Sequence, residues 1–252
     1  MPISILFNDD CIVGMKNIPD KSVNLICTDL PYGTTSIEWD NIIPFELMWN
    51  EFRRVLTTNG TCLLFGSQPF TSKLIMSNLP WFKQSLVWNK NKCGSPGLSK
   101  IRPMQTHEDI VVFSPGKTCY NPIMETGEPY KRNLPATSDQ PRKNNHRFGF
   151  DTNTEVVNTG TRYPKSIINI SRDFSAQQQV HPTQKPVSLL TWLIKTYSNE
   201  NETVLDATMG SGSCGVAAIQ NNRNFIGIES DTNFYLLAQG RIQKALDSSC
   251  SK

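Results

Sequence analysis

The feature that most constrains the fold of this chain is a strand–turn–helix–strand unit near its C-terminal end. The apolar run Thr203 to Leu205 leads into the glycine-rich turn Asp206-Ala207-Thr208-Met209-Gly210-Ser211-Gly212. We predict a helix from about Gly212 to Ile219 and a second strand, Phe225 to Ile228, which ends at Glu229. Glycines let the backbone approach a ligand closely, and an acid at the end of the second strand can accept both ribose hydroxyls. This order is typical of a nucleotide-binding βαβ unit, although a tight turn without ligand is the simpler alternative.

The chemistry of this turn narrows the class of ligand. The spacing is not the GxGxxG pattern of dinucleotide-binding proteins, and no GK[ST] phosphate loop follows it. The turn also lacks a cation for a pyrophosphate, while Asp206 lies beside it. The pattern therefore favours an adenosine ligand without phosphates over NAD or ATP.

Short apolar strands alternate with helical segments along most of the chain. This alternation predicts an α/β fold with a mostly parallel sheet and helices on both faces. This alternation of strands and helices ends after Ser114, and the following stretch is rich in Asn, Thr, Pro, Gly and Arg. Long stretches of this kind are usually functional or flexible. We therefore predict one catalytic and ligand-binding domain formed by 1–114 and 180–252, with an insert at 115–179.

Composition and cysteine pattern exclude several classes of protein. No apolar stretch approaches the ~18 residues of a membrane span, and the first ten residues lack the pattern of a signal peptide. The seven cysteines contain no CxxC pair, so we expect reduced thiols and no metal site. These features predict a cytoplasmic protein without membrane partners.

The charge is distributed unevenly. The formal net charge is +3 for the whole chain, but the stretch from Trp81 to Pro186 has a net charge of +7 and the remainder −4. A solvated loop region and a surface that faces a polyanion both agree with this pattern. Charge alone does not decide between them.

A second turn, Asp29-Leu30-Pro31-Tyr32-Gly33, follows the buried strand Val23 to Cys27. It therefore lies at the carboxyl edge of the sheet, where ligands bind in open α/β folds. Asp29 and the Leu30 carbonyl offer two acceptors, Pro31 fixes the turn, and Tyr32 offers a planar face. Together they can accept both hydrogens of an exocyclic amine and stack on its ring. An ordinary Asp-x-Pro turn is the alternative.

The two turns carry a family resemblance. Asp29-Leu30-Pro31-Tyr32 resembles the DPPY motif of the amino-group DNA methyltransferases, and Asp206-x-x-x-Gly210-x-Gly212 resembles their S-adenosylmethionine motif. The catalytic motif comes first, as in the circularly permuted beta class. Three further segments fit the family pattern: Asp9-Asp10-Cys11, His107 to Phe113, and His181-Pro182-Thr183-Gln184-Lys185-Pro186. The main departure is Leu30, where the family usually has proline.

The resemblance implies S-adenosylmethionine as cofactor. Glu229 is expected to bind its ribose, and Asp206 to contact its amino group. Gly210 and Gly212 would let the backbone reach the methionine part. The remaining implied contacts are Asp10 to the adenine amine and Lys185 or Thr183 from the start of the following helix.

The resemblance also implies transfer of a methyl group to a flipped base in double-stranded DNA. Tyr32 would stack on the base, and Asp29 and the Leu30 carbonyl would accept its amine hydrogens, with Pro31 shaping the turn. An aspartate first in the motif favours adenine N6, and cytosine N4 is the alternative. Transfer to RNA or to a protein side chain, and an inactive DNA-binding or specificity protein, are the rival interpretations.

The insert is the expected target-recognition region. Arg, Lys and Asn side chains there can read base edges or contact phosphates, and for a single position the phosphate contact is the simpler interpretation. The candidates are Arg132, Arg142, Lys143, Asn144, Asn145, Arg147 and Arg162. The sequence leaves open a homodimer and a restriction endonuclease on a separate chain. The host we expect is a bacterial or phage-infected cell.

Overall fold

The computed structural model describes residues 1–33, 41–91, 97, 99–133, 155–171 and 184–250. In chain order the elements are β1 (Ser4–Asn8), α1 (Cys11–Met15), β2 (Val23–Thr28), α2 (Phe45–Val55), β3 (Leu56–Gly66), α3 (Phe70–Ser77), β4 (Phe82–Asn89), β5 (His107–Phe113), β6 (Glu125–Thr126), β7 (Tyr130–Asn133), β8 (Glu155–Asn158), β9 (Thr161–Arg162), β10 (Ile167–Asn169), α4 (Val187–Tyr197), β11 (Thr203–Asp206), α5 (Ser213–Gln220), β12 (Asn224–Glu229) and α6 (Thr232–Cys250).

Eight strands form one sheet in the order β1-β12-β11-β2-β3-β5-β4-β10. Five neighbouring pairs are parallel, and only the two pairs made by β5 are antiparallel. The predicted α/β fold with a mostly parallel sheet is therefore confirmed. The parallel order brings the carboxyl ends of β1, β12, β11 and β2 side by side at one edge.

Two apolar layers cover the faces of this sheet. Alternate side chains of the same strand enter different layers: Leu63 and Phe65 belong to one cluster, and Cys62 and Leu64 to the other. Helices α4, α5 and α6 contribute to the first cluster, and α1, α2 and α3 to the second. Because both faces are buried, the central strands are continuously apolar, which is the pattern that predicted them.

The chain divides into two compact units. The larger unit comprises Met1–Asn121 and Lys165–Lys252, and the smaller one Pro122–Pro164. Within the smaller unit β6 pairs with β9 and β7 pairs with β8, both antiparallel. It is narrower than the predicted insert 115–179. The difference arises because β10 pairs in parallel with β4 in the main sheet, where Ile168 is buried.

No helix among the described residues is long and apolar enough to cross a membrane. Within the same ranges, no group of three or more His, Cys, Asp or Glu side chains is arranged to hold a metal ion.

Candidate functional site

A cavity of about 530 Å³ opens at the carboxyl edge of the sheet. Much of its lining comes from the carboxyl ends of four adjacent strands and the segments after them: 9–11 after β1, Asp29 and Pro31 after β2, 206–211 at the end of β11, and 229–231 at the end of β12. Both turns singled out in the sequence therefore meet in one space. Ligands of open α/β sheets bind at this edge.

The glycine-rich turn takes a conformation that side chains oppose. Gly210 and Gly212 have φ angles of +50° and +75°. A Cβ at Gly212 would lie 2.8 Å from the Cβ of Ala238 in α6. Gly212 also occupies the N-cap position of α5. Glycine at this position therefore allows both the left-handed backbone and the close approach of α6.

The carboxylate of Glu229 is held between the end of β12 and the glycine turn. Its Oε2 accepts a hydrogen bond from the Gly210 N–H at 2.8 Å, and its Oε1 accepts one from the Asp231 N–H at 2.9 Å. Burial raises the pKa of Glu229, while these backbone donors oppose the rise. Each carboxylate oxygen has a second lone pair, so the group keeps acceptor capacity towards a ligand hydroxyl.

Asp206 is a buried carboxylate with no cationic partner in the part of the chain that the structure describes. The residue is only 6% exposed. Its Oδ1 accepts hydrogen bonds from Thr28 Oγ1 at 2.7 Å and from the Thr208 N–H at 3.2 Å. Burial raises the pKa of Asp206 to about 7, and the Thr28 hydrogen bond opposes the rise. No Lys, Arg or His among the described residues forms an ion pair with it. A buried anion in this state favours a cationic ligand.

Two threonines tie the two turns together. Thr208 Oγ1 donates to the backbone carbonyl of Asp29 at 2.9 Å, and the hydroxyl oxygens of Thr208 and Thr28 lie 2.8 Å apart. Thr28 in turn donates to Asp206. The position of the first turn is therefore fixed against the glycine turn by side chains that the sequence analysis did not select.

The first turn presents Asp29 and Tyr32 together. Tyr32 donates its hydroxyl hydrogen to Asp29 Oδ1 at 2.6 Å, and its ring stacks on Phe70 with 5.1 Å between centroids and 29° between planes. Pro31 lines the cavity. Leu30 is buried in the core cluster beneath the turn. The departure from the usual proline therefore adds an apolar anchor.

Charged groups alternate next to Asp29. Lys185 Nζ pairs with Asp29 Oδ2 and lies 3.3 Å from Glu108 Oε2, and Glu108 Oε1 pairs with Lys90 Nζ at 2.9 Å. Burial raises the pKa of Asp29, although Lys185 opposes the rise. Burial also opposes ionisation of Lys185 and Glu108, but the opposite charges outweigh it, so the pKa of Lys185 is raised and that of Glu108 lowered.

The other predicted cofactor contacts have mixed outcomes. Asp10 lines the cavity, and its Oδ1 caps α1 by accepting from Ile12 N and Val13 N at 2.8 and 3.2 Å. Lys185 lines the cavity too, but the partners of its ammonium are carboxylates of the protein. Thr183 lies outside the described residues.

Most predicted DNA contacts also lie outside the described ranges: Arg142, Lys143, Asn144, Asn145 and Arg147. Arg132 is part of strand β7. Arg162, in β9, stacks its guanidinium 4.7 Å from the centre of the Tyr130 ring and donates to Asn158 Oδ1 and to the Glu128 carbonyl. These contacts brace the smaller unit internally, and a DNA contact by Arg162 stays a prediction.

Curated proteins similar to this chain include two Type II methyltransferases. Type II methyltransferase M.HinfI of Haemophilus influenzae is 26% identical over 96% of this chain and 69% of its own length. Type II methyltransferase M1.MboII of Moraxella bovis is 24% identical over 93% of this chain and 94% of its own length.

Solved structures share the fold. The M1.HpyAVI–SAM complex superposes with a TM-score of 0.64 at 22% identity and covers 95% of this chain and 99% of its own. The cytosine-N4-specific PvuII DNA methyltransferase gives a TM-score of 0.65 at 15% identity, covering 98% and 91%.

A sequence model of a family described as DNA methylase matches residues 23–240, which includes both turns and all the carboxylates discussed above except Asp10. The chain therefore belongs to the DNA methylase family of N6 and N4 methyltransferases.

Proposed function

We propose that the protein transfers a methyl group from S-adenosylmethionine to the exocyclic N6 of an adenine flipped out of double-stranded DNA. The observation that carries this proposal is the meeting of the Asp206 turn and the Asp29–Tyr32 turn in one cavity, joined through Thr28 and Thr208. A donor site and an acceptor site must be adjacent for direct transfer. Family membership supports the reaction class.

The residues of the cavity fit the proposed cofactor. Asp206 is a buried carboxylate that pairs with no cation of the described residues, and Asp9, Asp10, Glu229 and Asp231 add further acidic groups to the lining. S-adenosylmethionine carries a sulfonium and an ammonium group, so an acidic wall stabilises it. Asp206 would hold the ammonium group, and Glu229 the ribose hydroxyls. When bound, the cofactor supplies an electrophilic methyl group.

The first turn supplies the positioning of the acceptor. Tyr32, backed by Phe70, offers a ring on which the base can stack. Asp29 and the Leu30 carbonyl would accept the two amine hydrogens, which turns the nitrogen lone pair towards the methyl donor. The nitrogen would gain the methyl group as the sulfur–methyl bond of the donor breaks and a neutral thioether is left. It would lose one proton, for which Asp29 is the adjacent acceptor on the way to water. Catalysis then rests on orientation and fixed charges, and it needs no covalent intermediate.

Three finer points belong to the same proposal. Asp29 as first residue of its motif favours adenine N6 over cytosine N4, although the PvuII fold likeness makes N4 the alternative to test. The insert 115–179, with Arg132 and Arg162, would read the target sequence. The relatives are Type II methyltransferases, so we propose a cytoplasmic enzyme of a restriction-modification pair whose nuclease is a separate chain.

Sequencing that detects methylated bases, applied to DNA from cells expressing the protein, tests the proposal. We expect N6-methyladenine at one defined sequence with wild type and none with Asp29→Ala. N4-methylcytosine would show that the acceptor is cytosine. In a parallel assay with tritium-labelled S-adenosylmethionine, label that appears only in RNA or in protein would overturn the DNA substrate. Calorimetry separates the roles, because Asp29→Ala should bind S-adenosylmethionine about as well as wild type. Absence of cofactor binding by wild type would favour the inactive DNA-binding alternative.

A further inference from the structure

Partly buried ion pairs join Asp29 to three charged residues that the methyl transfer described above does not use. We call Asp29, Lys185, Glu108 and Lys90 the carboxylate–lysine chain. Their side chains are 20%, 9%, 16% and 14% exposed, respectively. The four groups come from four places in the fold: the end of β2, the start of α4, β5 and the residue after β4. Long-range packing therefore brings them together.

Lys185 and Tyr32 hold the Asp29 carboxylate by its two oxygens. The Tyr32 hydroxyl donates to Oδ1 at 2.6 Å, and the Lys185 ammonium pairs with Oδ2. Two donors on different oxygens fix the rotation of the carboxylate plane. Each oxygen of an ionised carboxylate has a further lone pair, so the group can still accept a hydrogen from the substrate amine.

Glu108 holds Lys185 from the other side. Its Oε2 lies 3.3 Å from Lys185 Nζ, and this oxygen makes no hydrogen bond of good geometry within the described residues. Its Oε1 is taken by Lys90 at 2.9 Å. Asp29 is thus the closer partner of Lys185, and Glu108 competes with it weakly for the same ammonium group. The centre of the Phe65 ring lies 5.0 Å from the same ammonium, which adds a contact that favours a cation.

The ionisation of Asp29 matters for the reaction. A carboxylate shielded from water tends to take up a proton unless a cation lies beside it. A protonated Asp29 would present a donor to an amine that itself needs acceptors. The cation beside Oδ2 therefore favours the ionised form of Asp29, which is the form that can accept a hydrogen from the substrate amine.

We propose that Lys185 is a positioning residue that keeps Asp29 ionised and fixes the plane of its carboxylate, and that Glu108 limits how strongly Lys185 holds it; this inference rests on the function proposed above. It replaces the sequence-based prediction that Lys185 braces the cofactor. Among the described residues, the charged and titratable groups that act on Asp29 are Tyr32 on its own turn, Glu108 on β5, Lys185 before α4 and Asp206 on β11. Lys90 acts on Glu108, and Asp109 acts on Tyr32.

The direct test is a titration of the Asp29 carboxyl in the protein alone. Aspartate labelled with ¹³C at Cγ gives the ionisation by NMR, and the Asp29→Asn variant assigns the signal. Lys185→Met should raise the pKa of Asp29, because the nearest cation is lost. Glu108→Gln should lower it, because the anion that shares Lys185 is lost. Lys195→Met, which removes an exposed lysine of α4, is the matched control and should change nothing.

Opposite shifts from two neighbouring substitutions are not expected of a merely structural role. Lys185→Arg keeps the charge and should keep the Asp29 titration close to wild type, and it provides a second variant if Lys185→Met does not fold. An unchanged Asp29 titration in a folded Lys185→Met, or shifts of the same sign in Lys185→Met and Glu108→Gln, would overturn the proposal.

Methyl transfer supplies the second readout. In Lys185→Met, kcat should fall about 10²-fold at neutral pH, as expected for a misplaced catalytic group. The acid limb of the pH–kcat profile of this variant should move to higher pH, since transfer needs the ionised form of Asp29. The Kd for S-adenosylmethionine should stay near the wild-type value. A large loss of cofactor affinity with unchanged kcat would instead support the cofactor-bracing role. The NMR titration needs no activity, so it stands even if wild type methylates no DNA, which would refute the proposed function separately.

Discussion

Replacement of Asp206 by asparagine should stabilise the protein without cofactor and weaken cofactor binding. Asparagine has the same shape, and its Oδ1 can still accept from Thr28 Oγ1 and the Thr208 N–H, which lie 2.7 and 3.2 Å from the aspartate oxygen. The substitution therefore removes the charge while it retains the two hydrogen bonds. What changes is the free energy of placing an anion in this cavity wall.

The magnitude follows from the pKa of Asp206, which burial raises from 3.8 to about 7. Between these values the folded protein binds more protons than the unfolded chain, so the free energy of unfolding falls as the pH rises. The loss begins near pH 4 and is complete above pH 7. Each pH unit corresponds to about 1.4 kcal/mol, so the full penalty is about 4 kcal/mol. The Asp206→Asn variant does not incur this penalty, because asparagine does not ionise.

Urea unfolding of both proteins at pH 5 and pH 8 measures this penalty. Any cost of the amide group is independent of pH and cancels in the comparison. The stability advantage of Asp206→Asn should therefore widen by about 2–3 kcal/mol between pH 5 and pH 8. Asp247→Asn, at an exposed position of α6, is the control and should show no such widening. An advantage of Asp206→Asn that is the same at both pH values would refute the reasoning.

Calorimetry completes the test. Because a cationic ligand requires the ionised carboxylate, wild-type affinity for S-adenosylmethionine should rise from pH 6 to pH 8, with release of a proton, and Asp206→Asn should lose this dependence. The loss of a hydrogen bond to a charged group predicts a decrease in affinity of about 1.5–3 kcal/mol at pH 8. Equal affinity of both proteins at pH 8 would separate Asp206 from the cofactor.

Two further predictions concern the turns. Gly212→Ala places a Cβ 2.8 Å from that of Ala238, at a φ of +75°. Urea unfolding should therefore show that the free energy of unfolding falls by about 1–3 kcal/mol. The control Gly240→Ala lies in α6 with open space around it, and its free energy of unfolding should be unchanged or rise by up to about 1 kcal/mol. Tyr32→Phe keeps the ring but not the hydrogen bond to Asp29, so it should lower kcat more than DNA affinity. Tyr32→Ala should in addition weaken DNA binding by about 1–3 kcal/mol in a titration, and equal DNA affinity of the two Tyr32 variants would contradict the stacking role.

The sheet could be predicted because its central strands are apolar throughout and end in recognisable turns. Strand β10 could not, since its three residues, Ile167–Asn169, are too short to give a periodic signal. Its pairing with β4 depends on the partner strand rather than on its own sequence. For the same reason the boundary of the smaller unit differs from the predicted insert.

The sequence likewise predicts one part of the site and not the other. Asp29, Asp206 and Glu229 stand at the ends of apolar strands, a local pattern that marks them as candidates. The partners that give them their properties are far away along the chain: Thr28 and Asp206 are 178 positions apart, and Asp29 and Lys185 are 156 apart. Lys185 reaches Asp29 from the segment before α4. The contact between Thr28 and Asp206 follows from the strand order, in which β11 lies beside β2. That order is not encoded in any single segment.

The two carboxylates Asp29 and Asp206 lie in one cavity but have different charged neighbours. Asp29 has a lysine beside it, whereas the described partners of Asp206 are uncharged hydrogen-bond donors. The negative charge of Asp29 contributes to the raised pKa of Asp206. Interactions between ionisable groups are reciprocal, so a cation that binds at Asp206 also favours the ionised form of Asp29. Cofactor binding would therefore complete the charge state that the acceptor turn needs. Under the proposed function, Asp29 would therefore be most fully ionised when the methyl donor is in place.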